Sequence, residues 1–222
     1  MLLIRNLSKF TFIAFMSLFL AACSEAPVPS AESPATGSVA PAYAEGTYYR
    51  VLAEPVQQDQ QEPFIVEYLW VGCPACQNFE SIMQGVKAAL PDVTVVRRHG
   101  AFNQRWAFDG ALFHAIQSLT DRDIATEMLA FYASQNNQLP DLDQLTGFMA
   151  RLGLDPNDVF AQADSDEVEQ ILRQTLSEMS TNEIQGVPAV VVNGRYLLAS
   201  PLPNDIRTQD DYNALIEYLL SL

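Results

Sequence analysis

Residues 64–76 read Phe64-Ile65-Val66-Glu67-Tyr68-Leu69-Trp70-Val71-Gly72-Cys73-Pro74-Ala75-Cys76. The first six form a strand-like, mostly apolar run. After the second cysteine, Phe79, Ile82, Met83, Val86 and Leu90 recur at spacings of three and four, the pattern of a helix with one buried face. Two thiols therefore sit between a strand and a helix N-terminus. Two residues apart, they can close a small disulfide, and Cys73 faces the unpaired N–H groups and the positive end of the helix. Such a setting stabilises a thiolate and suits redox exchange.

Working outward, Pro91 stops the helix, and residues 93–97 read as a third strand. That completes a strand, helix, strand crossover of the parallel type. No further strand-like run appears until Val187. Between them, residues 106–119, 123–132, 142–152, 156–162 and 167–178 read as helices, with Gly153 after one and Asp155-Pro156 as N-cap and first-turn proline of the next. The Met and aromatic positions in this block read as core. On the N-terminal side, 47–52 is a candidate strand. At the other end 189–192, Asn193-Gly194 and 195–198 carry a short-hairpin signature, and Tyr212, Leu215, Ile216, Leu219 and Leu220 mark a last helix. The economical architecture is an α/β sheet with a helical insertion after the third strand.

The first 22 residues carry Arg5 and Lys9, then an apolar stretch from Phe10 to Leu20, and no acid, which predicts an export signal. The stretch is shorter than the roughly 20 apolar residues of a spanning helix. It ends in Leu20-Ala21-Ala22-Cys23, which resembles the bacterial lipobox and makes Cys23 the candidate for lipidation. An ordinary cleavage site is the alternative, and Leu20 spoils its small-x-small pattern. Residues 24–45 hold Pro27, Pro29, Pro34 and Pro41 among small and polar residues, a tether that reaches several tens of Å at about 3.1 Å per residue. The domain boundaries expected are therefore 1–22 leader, 23–45 lipidated tether, 46–103 with 184–222 as the α/β domain, and 104–183 as the insertion.

Composition narrows the function. Without Arg5 and Lys9 the exported chain keeps 10 basic against 27 acidic side chains, a net of −17, which disfavours nucleic acid. Between Gln104 and Glu183 there are 14 acids and 4 bases, either a solvated face or a selector of basic or unfolded clients. Of three cysteines, lipidation takes one and leaves one pair. Export places that pair where disulfides persist. A zinc site needs four ligands, whereas two cysteines with His99 and His114 show no paired spacing; copper lacks a nearby His or Met at ligand spacing. No cofactor is expected. A permanent disulfide is the other reading of the pair, but so short a loop is a poor staple.

Glu67 six residues before Cys73, the Cys73-Pro74-Ala75-Cys76 motif, the long helical insertion and Gly186-Val187-Pro188 followed by Ala189 to Gly194 together resemble the DsbA-type thiol-disulfide oxidoreductases, thioredoxin-fold proteins of the bacterial periplasm. The resemblance runs from about Gly46 to the C-terminus. It implies a thioredoxin-like fold with a helical domain inserted after the third strand, Cys73 as nucleophile and Cys76 as resolving thiol. It also implies a cis Pro188 that sets Val187 beside the dithiol to pair with an extended substrate, against the alternative of a strand-entry proline. Glu67 is an acid in an apolar strand; buried, it would exchange protons with Cys76, as the resemblance also implies, and otherwise it faces solvent. Pro74 and Ala75 tune the redox potential. The family dipeptide is commonly Pro-His, so Ala75 forgoes a donor or positive charge and predicts a weaker oxidant. His99 sits near the site or on the surface. The expected function is a lipid-anchored periplasmic oxidase of reduced exported proteins, reoxidised by a DsbB-like membrane partner, with Ser24 pointing to the outer membrane. The rivals are a tethered reductase or isomerase and a noncatalytic binding lipoprotein.

Overall fold

The computed structural model describes residues 43–56, 63–120, 122–136 and 138–222. Cys23, the leader and residues 24–42 of the tether lie outside the described residues. Within the compact unit of residues 40–222, five strands make one mixed sheet of order β1-β5-β4-β2-β3. They are β1 (Tyr49–Val51), β2 (Phe64–Leu69), β3 (Thr94–His99), β4 (Ala189–Val192) and β5 (Tyr196–Leu198). The helices are α1 (Pro74–Ala89), α2 (Gln104–Thr120), α3 (Ala125–Ala133), α4 (Leu142–Arg151), α5 (Pro156–Ala163), α6 (Asp166–Thr181) and α7 (Gln209–Leu220).

β2 and β3 run parallel with Glu67 opposite Arg97, and β4 joins β2 antiparallel. All six residues of β2 are buried, because both faces of the sheet are covered. On one face Ile65 packs with Met83 and Val86 of α1 and Leu215, Ile216 and Leu219 of α7. On the other, Val66, Tyr68 and Val191 meet Leu52, Met179 and Ile184. A third cluster is made by α2 to α5, with Phe113, Ile116, Met128 and Met149 fully buried, and Leu69, Val71 and Cys76 pack into it. The second cysteine thus lies where the strand–helix unit meets the inserted helices.

Local chemistry explains most of the boundaries. Asp155 caps α5 ahead of Pro156 and Ser165 caps α6. Capping boxes open α4 at Asp141 and α7 at Thr208. Gly153 follows α4 at φ +79°. β1 is shorter than the sequence predicts because Thr47 and Tyr48 are spent in a turn after Gly46. β3 runs two residues beyond Arg97, since Leu69 still has a partner in His99.

The hairpin turn places Asn193 at φ +46° and Gly194 at φ +64°, the positive pair that a type I′ turn requires. A Cβ on Gly194 would stand 2.4 Å from the carbonyl oxygen of Val56. Gly194→Ala is therefore expected to cost about 1–3 kcal/mol, read as a lower denaturation midpoint at unchanged slope.

Candidate active site

β2 ends at Leu69, and the chain turns tightly through Trp70 to Cys73, where the Cys73 N–H donates to the Trp70 carbonyl at 2.9 Å. Cys73 is the N-cap of α1 with extended backbone, φ −89° and ψ 117°, and Pro74 holds the first helical position. The sulfur forms no full capping hydrogen bond, and the N–H groups of Cys76 and Ala75 act on it as weaker partners. Its partners are the thiol of Cys76 and the Val187 carbonyl, the latter at 3.8 Å. The Val187–Pro188 bond is cis. Cys73 and the Val187–Pro188 segment, far apart in sequence, are thereby brought together.

The two thiols are electrostatically unequal. Cys73 is partly exposed and Cys76 buried. A hydrogen bond from the Cys76 thiol, against the cost of burial and aided by the N–H groups of Cys76 and Ala75, brings Cys73 down to about 6. Cys76 is pushed far up, by its hydrogen bond to Cys73 and then by burial. One thiolate is available at neutral pH and it is the accessible one.

A pH dependence follows. A folded pKa near 6, depressed below the ordinary thiol value of about 8.5, adds stability to the reduced form that is fully present above about pH 8.5 and is lost as pH falls through 6. Oxidised protein has no such term. The stability difference between reduced and oxidised forms is expected to move toward oxidised on acidification from pH 8.5 to 6, and the alkylation rate of Cys73 is expected to fall on the same acidification through a midpoint near 6. A midpoint near 8.5 would contradict it.

Beneath the dithiol lies a charged network that the sequence did not reveal. Glu67 is buried, as the proton-exchange reading requires, but its surroundings are not apolar: it forms an ion pair with Arg97 of β3. Arg97 also reaches Glu80 at 3.1 Å and Asp123 at 3.4 Å, and Asp123 binds Lys87 at 2.8 Å. Burial raises the Glu80 pKa despite hydrogen bonds from Thr126 and Gln84. Asp123 is held low by Arg97 and Lys87 although burial works against it. Cys76 and Glu80 are one turn apart on the buried stripe of α1. By alternation along β2, Glu67 shares its sheet face with Ile65 and Leu69, which pack on Met83 and Cys76 respectively. Arg97 could have been suspected as an opposite charge in the neighbouring strand; Glu80 could have been suspected from its place four residues after Cys76.

His99 is buried, not a surface residue. Its Nε2 accepts from the Val71 N–H at 3.2 Å and its Nδ1–H donates to the Gly100 carbonyl at 2.8 Å. Burial pushes it down to about 3, so it acts as a neutral acceptor that pins the turn before Cys73. Gln77 adds a bond from its side chain to the Val71 carbonyl at 2.9 Å.

Residues 110–206, from α2 through the cis-proline and the hairpin, match the model of the DSBA-like thioredoxin domain. The chain carries a DSBA-like thioredoxin domain. It is 27% identical over 157 residues to the thiol:disulfide interchange protein DsbA of Pseudomonas aeruginosa, covering 69% of this chain and 74% of that protein. The DsbA of Burkholderia cepacia is 28% identical over 156 residues, covering 69% and 73%. The crystal structure of the P. aeruginosa DsbA superposes with a TM-score of 0.67 at 25% identity, over 81% of this chain and 93% of that one. With the dithiol at its helix N-terminus, this chain is a thiol:disulfide oxidoreductase similar to the DsbA proteins.

Proposed function

We propose that the protein is a lipid-anchored periplasmic oxidase that passes a Cys73–Cys76 disulfide to reduced exported proteins. The observation that carries this reading is the inequality of the thiols: a Cys73 thiolate stabilised near pH 6 against a sealed Cys76 favours the reduced enzyme, which makes its disulfide a good oxidant. A client thiolate attacks Sγ of Cys73 and releases Cys76, which takes a proton. The client's second thiolate then attacks its own sulfur in the mixed disulfide and releases Cys73 as thiolate. Two electrons pass from client to enzyme, and a DsbB-like membrane partner removes them. Glu67 exchanges the Cys76 proton through the buried network with Arg97.

Backbone groups of Val187, fixed beside Cys73 by Pro188, offer pairing to an extended client. A groove of about 600 Å³ opens there, lined among others by Tyr49, Arg50, Ile184, Val187, Pro188 and Leu197. Anchoring rests on Cys23 and the tether, and Ser24 favours the outer membrane. Ala75 supports a second reading, a reductase kept reduced by another protein, because it leaves the Cys73 thiolate without the imidazole of a Pro-His dipeptide.

Acid trapping followed by alkylation in cells reads the redox state of the pair. A mostly oxidised Cys73–Cys76 is expected; a mostly reduced pair would overturn the oxidase in favour of the reductase.

A further inference from the structure

Asp109 of α2 is fully buried and belongs to no part of the exchange chemistry above. Its Oδ2 accepts from the Trp70 indole N–H at 2.9 Å, and its Oδ1 accepts from the Tyr132 hydroxyl at 2.7 Å and from Nε of Arg105 at 2.8 Å. Arg105 continues to the Pro140 carbonyl at 3.1 Å. One carboxylate therefore gathers the end of β2, two inserted helices and the segment before α4. A buried carboxylate is stable when its lone pairs are filled by donors and a cation stands beside it, and this one meets both conditions.

The group it holds most directly is Trp70. The indole stacks on Trp106 at 4.4 Å with planes 20° apart. It lies so close over Gly72 that a Cβ there would be 2.5 Å from its Cζ2. The backbone carbonyl of the same residue receives the Cys73 N–H. Trp70 is thus clamped by its side chain while its backbone closes the turn that delivers Cys73 to the N-cap of α1. Beside that turn, Tyr132 and Leu139 border a small recess with Gly72, Pro74 and Gln77, so inserted residues flank the segment that leads to the dithiol.

We infer that Asp109 is a positioning residue for the dithiol: through the Trp70 indole it fixes the turn Trp70–Cys73, so that the inserted helices set how well the helix N-terminus stabilises the Cys73 thiolate. The turn bonds of His99 and Gln77 fix Val71; Asp109 fixes the residue whose carbonyl binds Cys73 itself. Loosening that hold lets the sulfur move off the helix axis, where the N–H groups and the Cys76 thiol reach it less well. Thiolate stabilisation falls off steeply with distance from the first turn.

The inference rests on the exchange activity of the dithiol, and the test separates the two. In the full chain, Asp109→Asn keeps the shape but removes the charge and faces one donor with an amide N–H, while Trp70→Phe removes the indole donor together with part of the ring that stacks on Trp106. Both are expected to raise the pH midpoint of Cys73 alkylation and to shift the exchange equilibrium with glutathione toward oxidised enzyme by about threefold or more. Tyr68→Phe, which deletes a hydroxyl bonded to Glu178 at 2.9 Å on the other face of the sheet, should lower stability without moving that midpoint. If Asp109→Asn does not fold, Trp70→Phe decides alone. Folded variants with the parent midpoint and equilibrium would overturn the positioning role. A parent that fails to exchange with glutathione would instead overturn the function proposed for the dithiol.

Discussion

Cys76→Ser is expected to lower turnover of disulfide transfer by a factor of about 10³ or more, while a mixed disulfide on Cys73 accumulates; Cys73→Ser should lose both the turnover and the adduct. The reason is the division of labour in the site. Cys73 is the accessible sulfur and carries the thiolate, whereas Cys76 is buried and held protonated. Without Cys76 the enzyme holds no disulfide to pass on. The Cys73 thiolate instead attacks a disulfide supplied to it, such as oxidised glutathione, and releases one half as thiolate. It keeps the other half as a mixed disulfide that no Cys76 displaces, so the adduct persists until an outside thiol resolves it. Comparing Ser with Ala at position 76 tests the electrostatics separately. The Cys76 thiol is the largest cause of the low Cys73 pKa, and a serine hydroxyl can still donate where a methyl cannot. The alkylation midpoint of Cys73 should stay near 6 in Cys76→Ser and climb toward the ordinary thiol value in Cys76→Ala. Non-reducing electrophoresis of the adduct and the pH profile of alkylation are the two measurements. Equal midpoints in the two variants would remove the thiol–thiol hydrogen bond from the account.

How far the sequence discloses this site depends on whether a residue's environment is local. β2, the start of α1 at Pro74 and the Asn193-Gly194 hairpin are decided by neighbours in the chain: an apolar run, a proline at the first helical position, a positive-φ pair. They are legible. The pairing of Val187 with Cys73 is separated by more than a hundred residues, and reaches the reader through a family resemblance and not through periodicity. Arg97 and Asp109 are harder still. An arginine at the end of an apolar strand reads as a residue entering solvent, and an aspartate in a helix reads as part of its wet face. Both are buried because partners arrive from elsewhere, Glu80 and Asp123 to Arg97, and Trp70 and Tyr132 to Asp109. In α2 seven consecutive or near-consecutive positions from Asp109 to Ile116 are buried, so no polar stripe remains to mark the inward side.

Arg97→Met is expected to destabilise the fold by about 3–5 kcal/mol, the usual cost of removing one partner from a buried ion pair. The guanidinium is 1% exposed and is shared by Glu67, Glu80 and Asp123. Methionine fills much of the volume but leaves Glu67 wholly enclosed, with neither oxygen receiving a well-formed hydrogen bond from any described residue. Asp123 keeps Lys87, so the uncompensated charge falls on Glu67 and Glu80. Its sign fixes the pH response. In the variant an enclosed carboxylate prefers its proton, which raises the folded pKa above the unfolded value of about 4.3. The folded state then binds more protons than the unfolded one, and the deficit shrinks as pH falls toward 4.3 and grows above it. Urea denaturation at pH 5 and 7.5 should show the smaller loss at pH 5, at the same slope. Adding Glu67→Leu and Glu80→Gln to Arg97→Met should restore most of the stability, because the penalty belongs to stranded charge and not to lost volume. A loss under about 1 kcal/mol in Arg97→Met, in the range of exposed pairs, would mean that water reaches the network and that Glu67 has a route for its proton other than through this buried cluster.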